Sequence, residues 1–523
     1  MKRFYKLGIG TINFFWIILF GLTVLFAFLS PNLILGDNDL FGTSTTLVTT
    51  GLLIFLVGLL LSLATFPEFR QKLSWLFVKN KYFSASVLLL LALVLQVLLL
   101  VFVHPVSGFD SGMLHYAAVS KKHVLETEVQ GYFSLNQNNL PIMLVMRKMV
   151  EITKQTSWQF FDYVTLFFVD LSVLLNILTV RVIAPKAMAF SMYLQGAWLL
   201  VFPSILMPYT DTWVLPLVSG YFLCYFVLCS KQFPVVWRFV AAGLFGAFVV
   251  LTYFIKPSAI IPVIAILLMT LFRVLTKRIS WEKSSIVVGM LALVSLAGLT
   301  TYQVVDNTIE QQHYIQIDAS RNIPMIHFAS MGITGTGGYD EKQALDMARL
   351  PTKADKSEYS KEIIVKRLKK LKVGGYLVFL VKKQNANTAD GTFGWLKEGN
   401  FFRENQKPSQ GGIANKIKNF LFLYGEHIAD FRFVAQLVWL LCLLVILFGW
   451  GNVTTEIWIM RLSIVGAFLF LLLFEGGRSR YLIQFLPCFI FLASLTWSNA
   501  KRHLQQIMTW WEANGGDIEE RLE

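Results

Sequence analysis

The strongest constraint on this 523-residue chain is a succession of long, uninterrupted apolar runs. A helix crossing a bilayer needs about 20 mainly apolar residues, and its backbone polar groups must all be bonded within the segment. Candidate spans are 11–30, 46–66, 84–103, 158–180, 186–206, 213–230, 238–255, 258–275, 284–304, 433–450, 457–475 and 481–498. The expected fold is an all-α polytopic membrane protein with about 12 transmembrane helices. Composition agrees: 55% of residues are hydrophobic and only 15% charged, against roughly 25% charged in soluble chains.

Charge distribution then gives an orientation. Lys and Arg number 46 against 32 Asp and Glu. In a membrane protein such an excess reflects cytoplasmic loops and not a nucleic-acid partner. Segments 1–10, 67–83, 181–187, 231–238, 273–283 and 499–502 are rich in Lys and Arg, whereas loops 31–45 and 207–212 carry neither. Both termini are therefore expected in the cytoplasm. The basic start, MKRFYKLG, leads into a run longer than a signal peptide with no small-residue cleavage site, so it reads as a retained first helix. Cys224, Cys229, Cys442 and Cys488 all lie in apolar runs, which suggests neither a disulfide framework nor a Cys metal site.

The expected organisation is a two-helix N-terminal segment (1–83) and a transmembrane core (84–304) with a large outer loop at 104–157. An extracytoplasmic mixed α/β domain (305–432), C-terminal helices (433–500) and a cytoplasmic tail (501–523) follow. In the outer domain, KEIIVKRLKKLK, residues 361–372, has apolar residues at helical spacing and a basic face. It reads equally as a membrane-surface helix or as a solvated one.

Four polar features converge on the outer face. HPVSGFDSGMLHYA, residues 104–117, places Asp110 just past a membrane exit, with His115 five residues on. MPYTDTW, 207–213, places Asp211 in a short loop. FIKPSAIIP, 254–262, places Lys256 at a helix end beside Pro257. FEGGRSRYLIQFLP, 474–487, places Glu475, Arg478, Arg480 and Tyr481 in a tight turn. A lone loop Asp is usually just solvated, and a cation at a span end usually snorkels to headgroups. Together, two carboxylates and three cations at the ends of different helices suit an anionic, lipid-linked substrate. Arg offers a phosphodiester two parallel hydrogen bonds, and a carboxylate suits deprotonation of a hydroxyl.

These motifs resemble those of the GT-C superfamily of multi-pass glycosyltransferases. The matching residues are Asp110, the YTD of Tyr209–Asp211, the KP of Lys256–Pro257 and the RSRY of Arg478–Tyr481. HFASMG at His327–Gly332, Lys382, and DGTFGW at Asp390–Trp395 also match. Within the class the chain is most similar to the Gram-positive, dolichyl-phosphate-mannose–protein mannosyltransferase-like branch, and it resembles the glycosyltransferases of exosortase systems.

The resemblance implies a GT-C-like core and transfer of a sugar from a polyprenyl-phosphate donor to a cell-envelope glycan or glycoprotein. Asp110 would be the base. Asp211 would assist the site or help hold a metal. Lys256, Arg478 and Arg480 would bind the donor phosphate, with Tyr481 and His115 beside them. The chain departs from the pattern in two ways: two spans precede the one leading into Asp110, and the acid is single, not paired. Mg or Mn held by Asp110, Asp211 and substrate phosphate stays open.

Other readings compete. A lipid-linked saccharide flippase would line a path with mid-membrane polar groups, for which only Asp170 and Asn176 argue. A polysaccharide polymerase or ligase would use a pyrophosphate donor. Asp162 and Asp170, eight residues apart on nearly one helical face, read as structural. TGTGGY, 334–339, superficially resembles a phosphate loop but has no GK[ST] ending.

Overall fold

The computed structural model describes residues 2–40, 42–276, 284–396, 402, 407–409, 411–451 and 453–519. Among them, eleven helices are long and apolar enough to cross a membrane. The chain is helical nearly throughout. Among the described residues the one small sheet pairs β1 (Asp37–Asn38) with β2 (Thr43–Ser44) in the loop after the first helix.

Helix α1 (Lys2–Phe28) is a single long span. After β1 and β2, Thr46 caps α2 (Leu47–Thr65) by accepting from Val48 N–H. The short α3 (Pro67–Ser74) leads to α4 (Lys81–Phe102), which ends at the candidate site. The 104–157 loop then folds as α5 (Phe109–Val119), α6 (Thr127–Leu135) and α7 (Leu140–Thr153). These carry a separate apolar core of Leu114, Val129, Phe133, Met143 and Met146.

Helix α8 (Trp158–Ile183) starts beside the end of α4, where Gln159 donates to the Leu100 carbonyl over 3.2 Å. Its 26 residues carry the chain about 39 Å to the opposite end of the bundle. The return corrects one expectation. Residues 186–206 are not one continuous span: Pro185 and Pro203 each open a 3-10 turn, leaving only the 13-residue α9 (Met188–Leu200) between them. Thirteen residues rise about 20 Å, less than the ~30 Å hydrocarbon thickness. The segment nevertheless brings the chain back to the site end, because Ser111 bonds the Pro208 carbonyl there.

Next come α10 (Thr210–Trp213), α11 (Leu215–Cys229), α12 (Val235–Ile255), α13 (Ile261–Leu275) and α14 (Ser284–Glu310). Gly246 lets α12 and α14 touch at backbone distance; an added Cβ would meet the Val294 carbonyl at 2.2 Å.

Among its described residues the 305–432 segment is helical and not mixed α/β. Its described residues form α15 (Met325–Met331), α16 (Glu341–Ala348), α17 (Lys353–Thr388) and α18 (Ile413–Leu421). Beyond them, Phe402 makes an isolated bridge with Ser107. The motifs read as helix-forming are helical. The Gly-rich stretch 334–339 packs its backbone against the 476–477 turn. The bundle closes with α19 (Ile428–Phe448), α20 (Thr455–Leu473) and α21 (Leu486–Glu519). Asp430 in α19 accepts from Thr46 N–H at 2.9 Å and from both Thr46 and Thr49 hydroxyls, which ties α2 to the bundle.

Candidate active site

Asp110 sits in the first turn of α5, two residues past Gly108, the N-cap. The entry is tight. Phe109 has φ +51°, a costly value for an aromatic residue. Gly112 lies so close to the backbone that an added Cβ would meet the Ser107 carbonyl at 2.5 Å. The sequence SGFDSG thus folds the chain back on itself and fixes the carboxylate at the helix start. Tyr132 of α6 donates to Asp110 Oδ1 at 2.6 Å, and Tyr209 donates to Oδ2 at 3.1 Å. Asn139 donates in turn to the Tyr132 hydroxyl at 2.7 Å. Burial raises both phenol pKa values, and the Asp110 charge raises them further, so both remain donors.

Asp211 lies two residues beyond Tyr209, and its side chain is only 4% exposed. One oxygen pairs with Lys256, and the other faces Arg480 Nε at 3.4 Å. Lys256 is presented by the break between α12 and α13, where Pro257 cannot continue the helix. Arg480 lies 5.7 Å from the Tyr209 ring and 5.5 Å from the Tyr481 ring, and Lys256 lies 5.7 Å from the latter. Tyr481 donates to Glu475 at 2.8 Å. Burial pushes the Glu475 carboxyl up, opposed by that bond and by Arg478 and Arg480. A recess opens between Met207, Tyr209, Asp211, Trp395 and Arg480.

The 478–481 turn is held from behind by residues that no site motif contains. Lys383 of α17 is fully buried and donates to the carbonyls of Gly332, Leu472 and Phe474 at 2.6, 3.1 and 2.6 Å. Four residues on, Asn387 accepts from Gly477 N–H at 2.6 Å. The glycine loop 334–338 completes the clasp: Gly476 N–H donates to the Gly337 carbonyl at 2.8 Å. Gly477 has φ +68°, and a Cβ there would meet the Thr336 carbonyl at 2.4 Å. TGTGGY therefore packs as a backbone partner of the 476–477 turn.

Several sequence candidates lie outside this cluster. His115 bonds the Thr156 carbonyl at 2.9 Å and stacks on Trp158 at 4.0 Å, so it braces α5 against α8. Five residues of helix turn it away from the face that presents Asp110. Its burial lowers its pKa to about 4. His327 is buried against Ser360. Lys382 is exposed, and its neighbour Lys383 makes the contacts. Asp390 is a turn anchor: it accepts from Asn32 at 2.8 Å and from the Thr392 N–H and hydroxyl at 2.9 and 2.8 Å. Asp170 accepts from Gln96 of α4 at 3.3 Å, whereas the buried Asp162 has no hydrogen-bond partner among the described residues.

The donor set does not fit the divalent ion left open at the two acids. Each Asp110 oxygen accepts from a phenol, and each Asp211 oxygen faces a cation that would repel a metal. Among the described residues, no three His, Cys, Asp or Glu side chains gather where they could hold one. The signal that could have pointed to Tyr132 and Asn139 is the polar run SLNQNN, which begins two residues after Tyr132 and ends at Asn139; within it Ser134 and Asn139 are buried.

No curated protein and no solved structure matches the chain. A family model described as "Conserved hypothetical integral membrane protein" matches residues 4–501. The chain, a multi-pass membrane protein with its polar cluster at one end of the bundle, belongs to that family of integral membrane proteins.

Proposed function

We propose that this protein is a membrane glycosyltransferase with a GT-C-like core. It would transfer a sugar from a polyprenyl-phosphate donor to a cell-envelope glycan or glycoprotein on the extracytoplasmic face. The observation that carries the reading is the double contact of Tyr209, which bonds Asp110 and lies against Arg480. A carboxylate base and a paired cation site thereby share one wall.

The step is a single displacement. An acceptor hydroxyl loses its proton to Asp110, whose oxygens keep lone pairs free after accepting from the phenols. The oxygen bonds the anomeric carbon, and the carbon–oxygen bond to phosphate breaks. The electron pair leaves with the lipid phosphate, whose charge Lys256 and Arg480 are placed to meet. Arg478, half-exposed at the mouth of the turn, would meet the phosphate on entry. Asp211 acts as the partner that holds both cations between turnovers.

The test is purified protein in nanodiscs with a labelled polyprenyl-phosphate sugar and an envelope-derived acceptor. Asp110→Asn should lower transfer by about 10²–10⁴-fold without changing yield or thermal stability. Full activity in that variant removes Asp110 as base. Turnover only with pyrophosphate-linked oligosaccharides indicates the polymerase or ligase reading. Movement of lipid-linked sugar across proteoliposomes without transfer indicates the flippase reading.

A further inference from the structure

A second polar cluster lies at the end of the bundle opposite Asp110. Helix α13 starts at Ile261, beside the Lys256–Pro257 break, and its last turn carries Arg273 about 18 Å further along the axis. Helix α20 ends at the turn that bears Arg480 and starts at Thr455, about 27 Å away. Arg273 and Glu456 thus sit at the far ends of two apolar spans, Pro257–Leu275 and Thr455–Leu473. That places them at the headgroup level of the leaflet away from the site. The end of α11 and the start of α12 meet there too, because the charges of Arg273, Arg238 and Glu456 all reach Cys229. Arg238 is buried, and its Nε donates to the Leu228 carbonyl at 2.9 Å.

A cavity of about 400 Å³ opens between α13 and α20. Arg273, Thr454, Thr455 and Glu456 line it, together with Met269 and Trp458. Its two charges come from different helices and do not pair: no Arg273 nitrogen lies within 4.0 Å of a Glu456 oxygen. A cavity that holds unlike charges apart suits a ligand that carries both. The guanidinium can give a phosphate two parallel hydrogen bonds. Thr454 accepts from Ile457 N–H at 3.4 Å to cap α20, which leaves its hydroxyl proton for a ligand oxygen. The first turn of α20 adds positive potential beside it. Glu456 sets the cationic end: a carboxylate only accepts, so it selects an ammonium that carries N–H groups. Trp458 would be the rival seat for a quaternary ammonium, but Arg461 already lies 5.6 Å from its ring.

We propose that this cavity binds a phosphoethanolamine group, with the phosphate on Arg273 and Thr454 and the ammonium on Glu456. The group is the headgroup of a membrane phosphatidylethanolamine or the same compound free in solution, and the two are separable by experiment. Nothing in this site depends on sugar transfer, so it stands whether or not the Asp110 end is a glycosyltransferase.

Full-length protein in nanodiscs of equal parts phosphatidylethanolamine, phosphatidylcholine and phosphatidylglycerol is extracted into mild detergent. Native mass spectrometry then counts the lipids that stay bound. Phosphatidylethanolamine should be enriched about fivefold over each of the others, the gain from one ion pair at a partly exposed site. Glu456→Gln should remove the preference over phosphatidylglycerol, and Arg273→Gln should lower retention of all three. In a second arm, soluble O-phosphoethanolamine is added to protein in phosphatidylcholine nanodiscs. A raised thermal midpoint in the parent, absent in both variants, identifies the free compound as a source; lipid enrichment without that rise identifies the lipid. Equal retention of the three lipids by the parent, with no thermal shift, overturns the proposal and requires no variant to fold. Enrichment that survives unchanged in both variants overturns it as well.

Discussion

The Tyr209 hydroxyl donates to Asp110 Oδ2 across 3.1 Å, joining the loop before α10 to the first turn of α5. With Tyr132 on the other oxygen, the carboxylate is aimed by two phenols that burial keeps protonated. Removing one donor should disorient the base without deleting it. Tyr209→Phe and Tyr132→Phe are each expected to lower kcat/KM by about tenfold, as for one hydrogen bond to a charged group. Asp110→Asn should cost about 10²–10⁴-fold, the range of a general base. Steady-state transfer assays on the three variants check the order; equal losses would contradict it.

Asp211 separates two cations, so its removal should be felt in stability before chemistry. Asp211→Asn leaves Lys256 and Arg480 facing each other without the carboxylate in a nearly closed site. Breaking a buried pair typically costs about 3–5 kcal/mol, and a lowered thermal midpoint in nanodiscs is expected. Adding Lys256→Met to Asp211→Asn should recover part of the loss, because one of the opposed charges goes with it. A double variant less stable than Asp211→Asn alone would contradict this reading of the cluster.

Much of this was legible in the sequence, for physical reasons that differ residue by residue. Apolar runs report spans because the bilayer demands them, and eleven such helices form among the described residues. The break at 186–206 was hidden because hydropathy is blind to where Pro185 and Pro203 interrupt the backbone. Asp211, Lys256 and Arg480 came together because each lies at a helix end, which a hydropathy pattern does locate. Lys383 and Asn387 were not legible as supports, since their partners are carbonyls and amides that no side-chain motif encodes. The glycines of 334–338 looked like a ligand loop because close backbone contact and phosphate binding demand the same residue.

His115 gives the fold a pH dependence of definite sign. Burial holds its folded pKa at about 4, against an ordinary value of 6.5. Between those values the unfolded chain binds the proton and the folded protein does not, so stability rises with pH through that window. The contribution is whole above about pH 6.5 and is lost as pH falls toward 4. Thermal unfolding across pH 4–7 should show a shallower slope in His115→Gln than in the parent. An unchanged slope would mean that other groups carry the acid sensitivity.

Lys383 supports the cation turn, and its loss should loosen that turn selectively. Lys383→Met keeps the length of the stem but leaves the carbonyls of Gly332, Leu472 and Phe474 without their donor. Each orphaned buried acceptor costs about 1–3 kcal/mol, so a loss of about 3 kcal/mol or more is expected. Lys383→Arg should not restore it, because Gly337 packs directly on the lysine stem and leaves no room for a guanidinium. Hydrogen exchange locates the effect. The amides of Gly476 and Gly477, bonded to Gly337 and Asn387, should lose protection. Those of α5 around Asp110 should keep theirs, since no contact of Lys383 reaches that helix. Uniform loss of protection across both regions would make Lys383 a support of the whole fold and not of the turn that carries Arg480.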